Sequence, residues 1–285
     1  MFRNAVKTTV LLASLGGLLV LIGSFFGQVG TFIGLLLGLI VVAGSYWFSD
    51  KLAIRAAGGR SLDDGQLPWL EVDIAELAVR AGLPVPRLYL SLSTQPNAFA
   101  TGRNKNHAAV CVTIGLVESL SRDEIRGVLA HELSHIDNRD ILIGSVAAAV
   151  ATGISAVANF AMFSSMFASD DDEDRPNPIA VLLLAMVAPI AAGVLQMALS
   201  RSREFEADRR GAELLGDPAP LARALAKLDA LAHRTPMEVR PSQASAWIVN
   251  PLTGRDVSFA RLFLTHPPTE QRIARLPSAR QSVHQ

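Results

Sequence analysis

Hydrophobic positions in this chain gather in four long uncharged runs, and the stretches between and after them alternate polar and apolar positions with helix and strand periods. The runs are roughly Val10 to Phe26, Thr31 to Phe48, Ile141 to Phe167 and Ile179 to Leu199. A bilayer crossing needs about 20 mostly apolar residues, and each run reaches or approaches that length. The pattern predicts two membrane hairpins. Elsewhere the period changes: Leu70, Ile74, Leu77, Ala78 and Ala81 share one face of a short helix that Gly82 ends, and Pro84 and Pro86 keep it from resuming. Arg87 to Leu90 begins a strand. Asn97 to Gly102 and Ala108 to Thr113 are extended, and the polar run Arg103 to His107 between them predicts a hairpin.

Ser121-Arg122-Asp123-Glu124 has the form of a capping box, so a helix is expected to start there. It carries Glu124, Val128, His131 and His135 and runs on through Asn138 to Asp140 into the third run. Pro189 predicts a kink in the fourth run, which emerges as a charged helix from Leu199 to Gly216. After Pro218 comes an amphipathic helix with Leu221, Leu225, Leu228 and Leu231 on its buried side. Arg234 to Asp256 lacks periodicity and reads as a long loop. A short helix from Thr269 to Leu276 and a frayed tail from Pro277 complete the chain.

Composition supports the membrane reading. Half of the 285 residues are hydrophobic and mean hydropathy is +0.32, unusual for a purely soluble chain. Basic and acidic residues balance at 26 each, so no global field favours nucleic acid, and the apolar runs make membrane lipids expected partners. The local charges carry orientation. Arg3 and Lys7 precede the first run, Lys51, Arg55 and Arg60 follow the second, and Asp170 to Asp174 separate the third from the fourth with Arg175 alone opposing them. By the positive-inside rule both termini and the His131 region face the cytosol across the cytoplasmic membrane, and the acidic loop faces outward. The single cysteine, Cys111, agrees with a reducing compartment and reads as a buried strand thiol.

The chemistry centres on His131-Glu132-Leu133-Ser134-His135. On a helix, positions i and i+4 lie one turn apart on one face, so two imidazoles can close on one metal ion while Glu132 stays beside them as a base. Two neutral nitrogens suit Zn²⁺, one ion per chain, with a third ligand from elsewhere and a fourth position for water. Glu204, Glu206 and Asp208 on the charged helix are the candidates. Glu206 lies about 200° round the helix from Glu204, and Asp208 shares the Glu204 face, where it could instead orient a zinc-bound histidine. The charges from Arg122 to Arg126 place this site at the membrane surface and argue against an intramembrane protease. A non-proteolytic membrane scaffold or chaperone holding a structural metal is the other rival; structural zinc sites are usually closed by four protein ligands.

Together with Ser202-Arg203-Glu204-Phe205-Glu206-Ala207-Asp208, Asn97-Ala98-Phe99-Ala100-Thr101-Gly102 and His266-Pro267-Pro268, the His131 to His135 motif resembles the HtpX family of heat-shock membrane zinc metalloproteases over nearly the whole chain. Ser134 stands where such proteins often have glycine. The resemblance implies that Glu204 is the third zinc ligand, that Asp208 belongs to the surroundings of the site, and that damaged or misfolded membrane proteins are the substrates in quality control. The expected fold is a mainly α polytopic membrane protein, four hydrophobic spans plus a cytosolic zincin-like α+β metalloprotease domain with a small sheet. Its expected parts are an N-terminal hairpin (1–49), a protease region (50–140), a second hairpin (141–200) and a region carrying the third ligand (201–285). Asn97, Ala98, Phe99 and Ala100 are expected to hold the substrate backbone as an edge strand, and His266 to stabilise the oxyanion. Arg272 is expected to be a structural ion-pair partner.

Overall fold

The computed structural model of the chain describes residues 27–62, 65–141, 201–234 and 267–276, with positions 13, 16, 17, 19–21, 23 and 24 before them. The expected third and fourth spans beyond Ile141, the acidic loop, the 235–256 loop, His266 and most of the first span lie outside the described residues.

Helix α1, Gly27–Trp47, carries no charge along its 21 residues. At 1.5 Å per residue it is about 31 Å long, close to the thickness of a bilayer's hydrocarbon core. Among the described residues it is the one helix long and apolar enough to cross a membrane. Helix α2, Ser49–Ala56, follows directly and buries Ile54.

A four-stranded sheet supports the site. It comprises β1 (Gly59–Ser61), β2 (Arg87–Ser91), β3 (Ala98–Gly102) and β4 (Ala108–Thr113) in the order β1-β2-β4-β3. β4 is buried along its whole length because both sheet faces are covered. Val110 and Val112 face the main core with Ala98, whereas Ala109 and Cys111 face Ile54 of α2 with Phe99. The expected hairpin is present as the antiparallel β3–β4 pair. Helix α2, strand β1 and the parallel pairing of β2 with β4 are additions to the elements expected from the sequence pattern. β1 is three residues of Gly, Arg and Ser, without an apolar alternation to announce it.

Between the sheet strands lies α3, Pro68–Arg80, with Pro68 in its first turn and Gly82 at φ +64° just beyond its end. After β4, the Thr113 side chain accepts the Leu116 N–H and starts the short α4, Ile114–Ser119. Helix α5, Arg122–Asp137, then crosses the core. Its capping box is complete: Ser121 accepts the Glu124 N–H at 3.4 Å, and Glu124 accepts the Ser121 N–H at 2.8 Å. Lys227 of helix α7, Ala219–Arg234, donates to the same glutamate at 2.8 Å. On α3, the fully buried Asp73 accepts from Arg122 and Arg126 of α5. Burial opposes its charge, but the two guanidiniums win and hold its pKa below the ordinary value.

Helix α5 does not run unbroken through Asp140, as the sequence suggested. It ends at Asp137, and Arg139 adopts φ +59°, a left-handed conformation that stops a helix before the chain turns helical again at Asp140. Helix α6, Arg201–Leu215, packs along α5, and α7 buries Leu221, Leu225 and Leu228 beside them, with Leu231 half-buried. The last helix, α8, Thr269–Ala274, packs on α7 and α6.

Candidate metal centre

His131 and His135 lie one turn apart on α5, and their Nε2 atoms approach to 3.1 Å. Glu204, from the first turn of α6, faces both: its Oε2 is 3.8 Å from His131 Nε2 and its Oε1 is 3.6 Å from His135 Nε2. The helices come close enough for this because residue 211 is glycine. A Cβ there would lie 3.0 Å from the His131 backbone nitrogen and 3.1 Å from its Cα. Glu204 is seven residues earlier, two turns back on the same helix face, so the close approach at Gly211 fixes where its carboxylate falls.

These three side chains form a group that could hold a metal ion, with one ligand atom from each within 4.8 Å of the others. A tetrahedral ion with bonds of about 2.0–2.2 Å sets its ligands about 3.3–3.6 Å apart. The observed separations straddle that range, so a small shift of side chains closes the set on an ion. Charge agrees with distance. Among the described residues, Glu132, Glu204, Asp208 and Asp140 meet Arg272 and Arg203 here, so carboxylates outnumber guanidiniums by two. That excess of negative charge favours a cation at this place.

Each histidine also meets a carboxylate on its far side. Asp208 Oδ1 lies 2.9 Å from His131 Nδ1, although that nitrogen lacks the alignment of a formed hydrogen bond. Asp140 Oδ2 lies 3.4 Å from His135 Nδ1. Burial disfavours a charged His135, but Asp140, Glu204 and Glu132 together outweigh it and push its pKa up to about 9. Burial would likewise raise Asp208, yet Arg272 and then His131 hold it down at about 2. Arg272 is fully buried and stays charged because Asp208 and the other carboxylates surround it. Its Nη2 is also 3.5 Å from His131 Nε2 and 3.8 Å from Glu204 Oε2, which brings α8 to the edge of the ligand set.

Glu132 reaches the sheet. Its Oε2 accepts the Ala100 N–H of β3 at 2.7 Å. That bond leaves from the edge of β3 that is not paired with β4, at the one residue of the strand that is only half-buried. Asn97 is committed to β4, its carbonyl accepting the Thr113 N–H at 3.0 Å and its N–H donating to the Thr113 hydroxyl at 2.8 Å. By the alternation of an antiparallel ladder, Phe99 also pairs inward while Ala98 and Ala100 present their backbone groups outward.

Of the residues singled out in the sequence, the structure brings together His131, Glu132, His135, Glu204, Asp208 and the Ala98 to Ala100 edge. Glu206 points elsewhere, bound to Arg209 and Arg210. His266 lies outside the described residues. Asp140 went unrecognised, because its approach to His135 depends on the break at Arg139. Arg272 forms the structural ion pair expected from the sequence, with Asp208, and also lies against His131 and Glu204.

A family model described as peptidase family M48 matches residues 65–280. Proteins described as Protease HtpX homolog from Paraburkholderia phytofirmans and from Burkholderia mallei are 48% identical to this chain over 281 residues, covering 96% of either sequence. The crystal structure of S. mikatae Ste24p shares the fold with a TM-score of 0.52 at 21% identity, over 97% of this chain and 66% of that one. The helix that carries His131 and His135 and the helix that carries Glu204 both fall inside the matched region, and the chain belongs to peptidase family M48.

Proposed function

We propose that this peptidase is a zinc-dependent endopeptidase of the cytoplasmic membrane that cleaves damaged or misfolded membrane proteins, with its active site on the cytosolic side. One observation carries the chemistry: His131, His135 and Glu204 converge, while Glu132, between the histidines, turns toward the edge strand. Two imidazoles and one carboxylate are a set that suits Zn²⁺ with a position left open, the arrangement of a catalytic site. When bound, the ion supplies a polarised carbonyl and a water of lowered pKa.

The chain's own residues divide the remaining work. Asp208 and Asp140 orient the two imidazoles through their far nitrogens, which keeps each Nε2 turned toward the shared centre. Glu132 is the general base, taking the water's proton and passing it to the leaving amine. Its hold on the Ala100 N–H keeps the carboxylate between the ligand trio and the strand. On the edge of β3 away from β4, the Ala98 backbone and the Ala100 carbonyl pair with an extended substrate backbone, and Asn97 and Phe99 anchor the strand to β4. Main-chain pairing is indifferent to side chains, which suits an enzyme that must accept unrelated misfolded proteins. His266, next to the buried Pro267, donates to the carbonyl oxygen as it gains charge. Membrane attachment is supported by α1 and by the four apolar runs.

The test is metal analysis of the purified full chain combined with a cleavage assay on an unfolded protein substrate. One zinc per chain, with cleavage lost on chelation and restored by zinc, is the expected result. Cleavage that persists after the metal is removed, or metal held without cleavage, overturns the reading.

A further inference from the structure

Where α1 ends, the chain forms two adjoining cavities of about 480 Å³ each, both lined by Asp50 and Lys51. The first is walled by Trp47, Phe48, Arg87 and Arg103, and the second adds Arg55 and Arg60. These cations come from two separate parts of the chain, the α1–β1 segment and the sheet with its connections. Only the fold brings them together.

The charges in this place are not balanced internally. Asp50 is the one carboxylate among the described lining residues, and Arg87 already occupies it at 2.5 Å. Lys51 and Arg103 meet no carboxylate among the described residues. The Arg103 guanidinium stacks 5.3 Å from the Trp47 ring and donates to the Trp47 carbonyl at 3.4 Å, and the Lys51 ammonium lies 5.7 Å from the Phe48 ring. Each cation is thus held beside an aromatic ring at the cavity wall, with its charge left for a ligand.

Height fixes what the ligand is. With α1 spanning a hydrocarbon core of about 30 Å, Trp47 and Phe48 stand at the level of the lipid headgroups, where aromatic and basic side chains anchor membrane proteins. We infer that these cavities bind the phosphate of an anionic phospholipid, its headgroup between Lys51 and Arg103 and its acyl chains alongside α1. A zwitterionic lipid brings its own cation, for which the lining offers no unengaged carboxylate, so the site favours a net negative headgroup. This inference rests on the membrane reading of α1. It gives the chain a fixed depth in the bilayer, and the α2 segment beside the cavity reaches the edge strand directly, because the Thr101 hydroxyl of β3 meets the Ser49 carbonyl at 3.5 Å.

The experiment is native mass spectrometry of the detergent-purified full chain, titrated with phosphatidylglycerol and separately with phosphatidylcholine. One phosphatidylglycerol held in preference to phosphatidylcholine is expected. Lys51→Gln and Arg103→Gln are each expected to weaken it roughly fivefold and the pair roughly thirtyfold, as for basic residues at an anionic surface. Arg80→Gln, outside the cavities, is expected to leave it unchanged. Retained cleavage activity reports that the variants are folded, and Lys51→Gln serves alone if the pair is not, since Lys51 is exposed and touches a ring. Equal retention of the two lipids, or undiminished phosphatidylglycerol binding in Lys51→Gln and the double variant, overturns the inference. So does displacement of the lipid by inorganic phosphate at similar concentration, which assigns the site to the free ion. Co-sedimentation with neutral vesicles reads the membrane assignment separately: a chain that does not enter them sinks that assignment, whereas one that enters them but shows no lipid preference sinks this inference alone.

Discussion

Arg272 donates to both carboxylate oxygens of Asp208, Nε to Oδ2 at 2.8 Å and Nη2 to Oδ1 at 2.7 Å, across 64 positions of sequence. Asp208 in turn faces His131, so α8 at the end of the described chain reaches the candidate ligands through this carboxylate as well as by the approach of Arg272 to His131 and Glu204. Removing the guanidinium leaves Asp208 buried beside a histidine with its partner gone. Arg272→Met is expected to weaken metal binding roughly ten- to hundredfold, the usual cost of losing support behind a ligand. Arg272→Lys, which keeps the charge and loses the two-pronged geometry, is expected to fall between. Competition titration with a chromogenic chelator measures this. Wild-type affinity in Arg272→Met would separate α8 from the site.

Gly211 makes a prediction of opposite sign for helix and site. Alanine favours a helix by up to about 1 kcal/mol over glycine. Here its Cβ would lie 3.0 Å from the His131 nitrogen, so α6 must give way by a few tenths of an ångström. Gly211→Ala is therefore expected to keep its helical circular dichroism and lose metal affinity, because Glu204 moves with α6. An affinity equal to wild type would show that the approach of these helices does not set the ligand geometry.

The ligand motif was legible because it is local. His131, Glu132 and His135 lie within one turn of a helix that announces its own start at Ser121 and Glu124, and both the cap and the spacing came through in the structure. Glu204 was harder. Spacing separated it from Glu206, which indeed turns to Arg209 and Arg210, but could not rank it against Asp208 on the same face. Which of the two faces the histidine Nε2 atoms depends on how far along α5 the second helix docks, and the close approach at Gly211 bears on it. Asp140 and Arg272 were hidden for a related reason: one follows a left-handed residue that nothing in Asn138-Arg139-Asp140 declares, and the other meets its partner only through tertiary packing. The parallel pairing of β2 with β4 was missed because the intervening β3 obscures it in chain order.

Asp73 ties α3 to α5 with a testable acid dependence. Its folded pKa lies below the ordinary 3.8 because Arg122 and Arg126 outweigh its burial. A depressed carboxylate contributes stability in full above the unfolded pKa and loses it as pH falls through the folded one. Asp73→Asn is expected to cost about 2–4 kcal/mol at neutral pH, since it leaves Arg126 without its buried partner. Denaturant unfolding at a series of pH values checks this: the gap between wild type and variant narrows as pH drops below about 4. A gap that stays constant to pH 2 would contradict the assignment.

Cys111 is fully buried between the sheet and α2, and burial pushes its thiol up to about 12. The thiolate is the reactive species, so the folded chain is expected to resist a thiol reagent at pH 8 and to react fully once denatured. Prompt modification of the native protein would mean that β4 is accessible.

The central claim is that His131, His135 and Glu204 hold the metal while Glu132 moves the proton. Glu132→Gln separates these roles in one protein, since an amide keeps the shape of the side chain but takes up no proton. Metal content and cleavage rate are to be measured on the same purified preparation. Metal bound as in the wild type and cleavage reduced by a factor of roughly 10²–10⁴, the usual contribution of a general base, are expected. Cleavage at the wild-type rate by metal-loaded Glu132→Gln would contradict it.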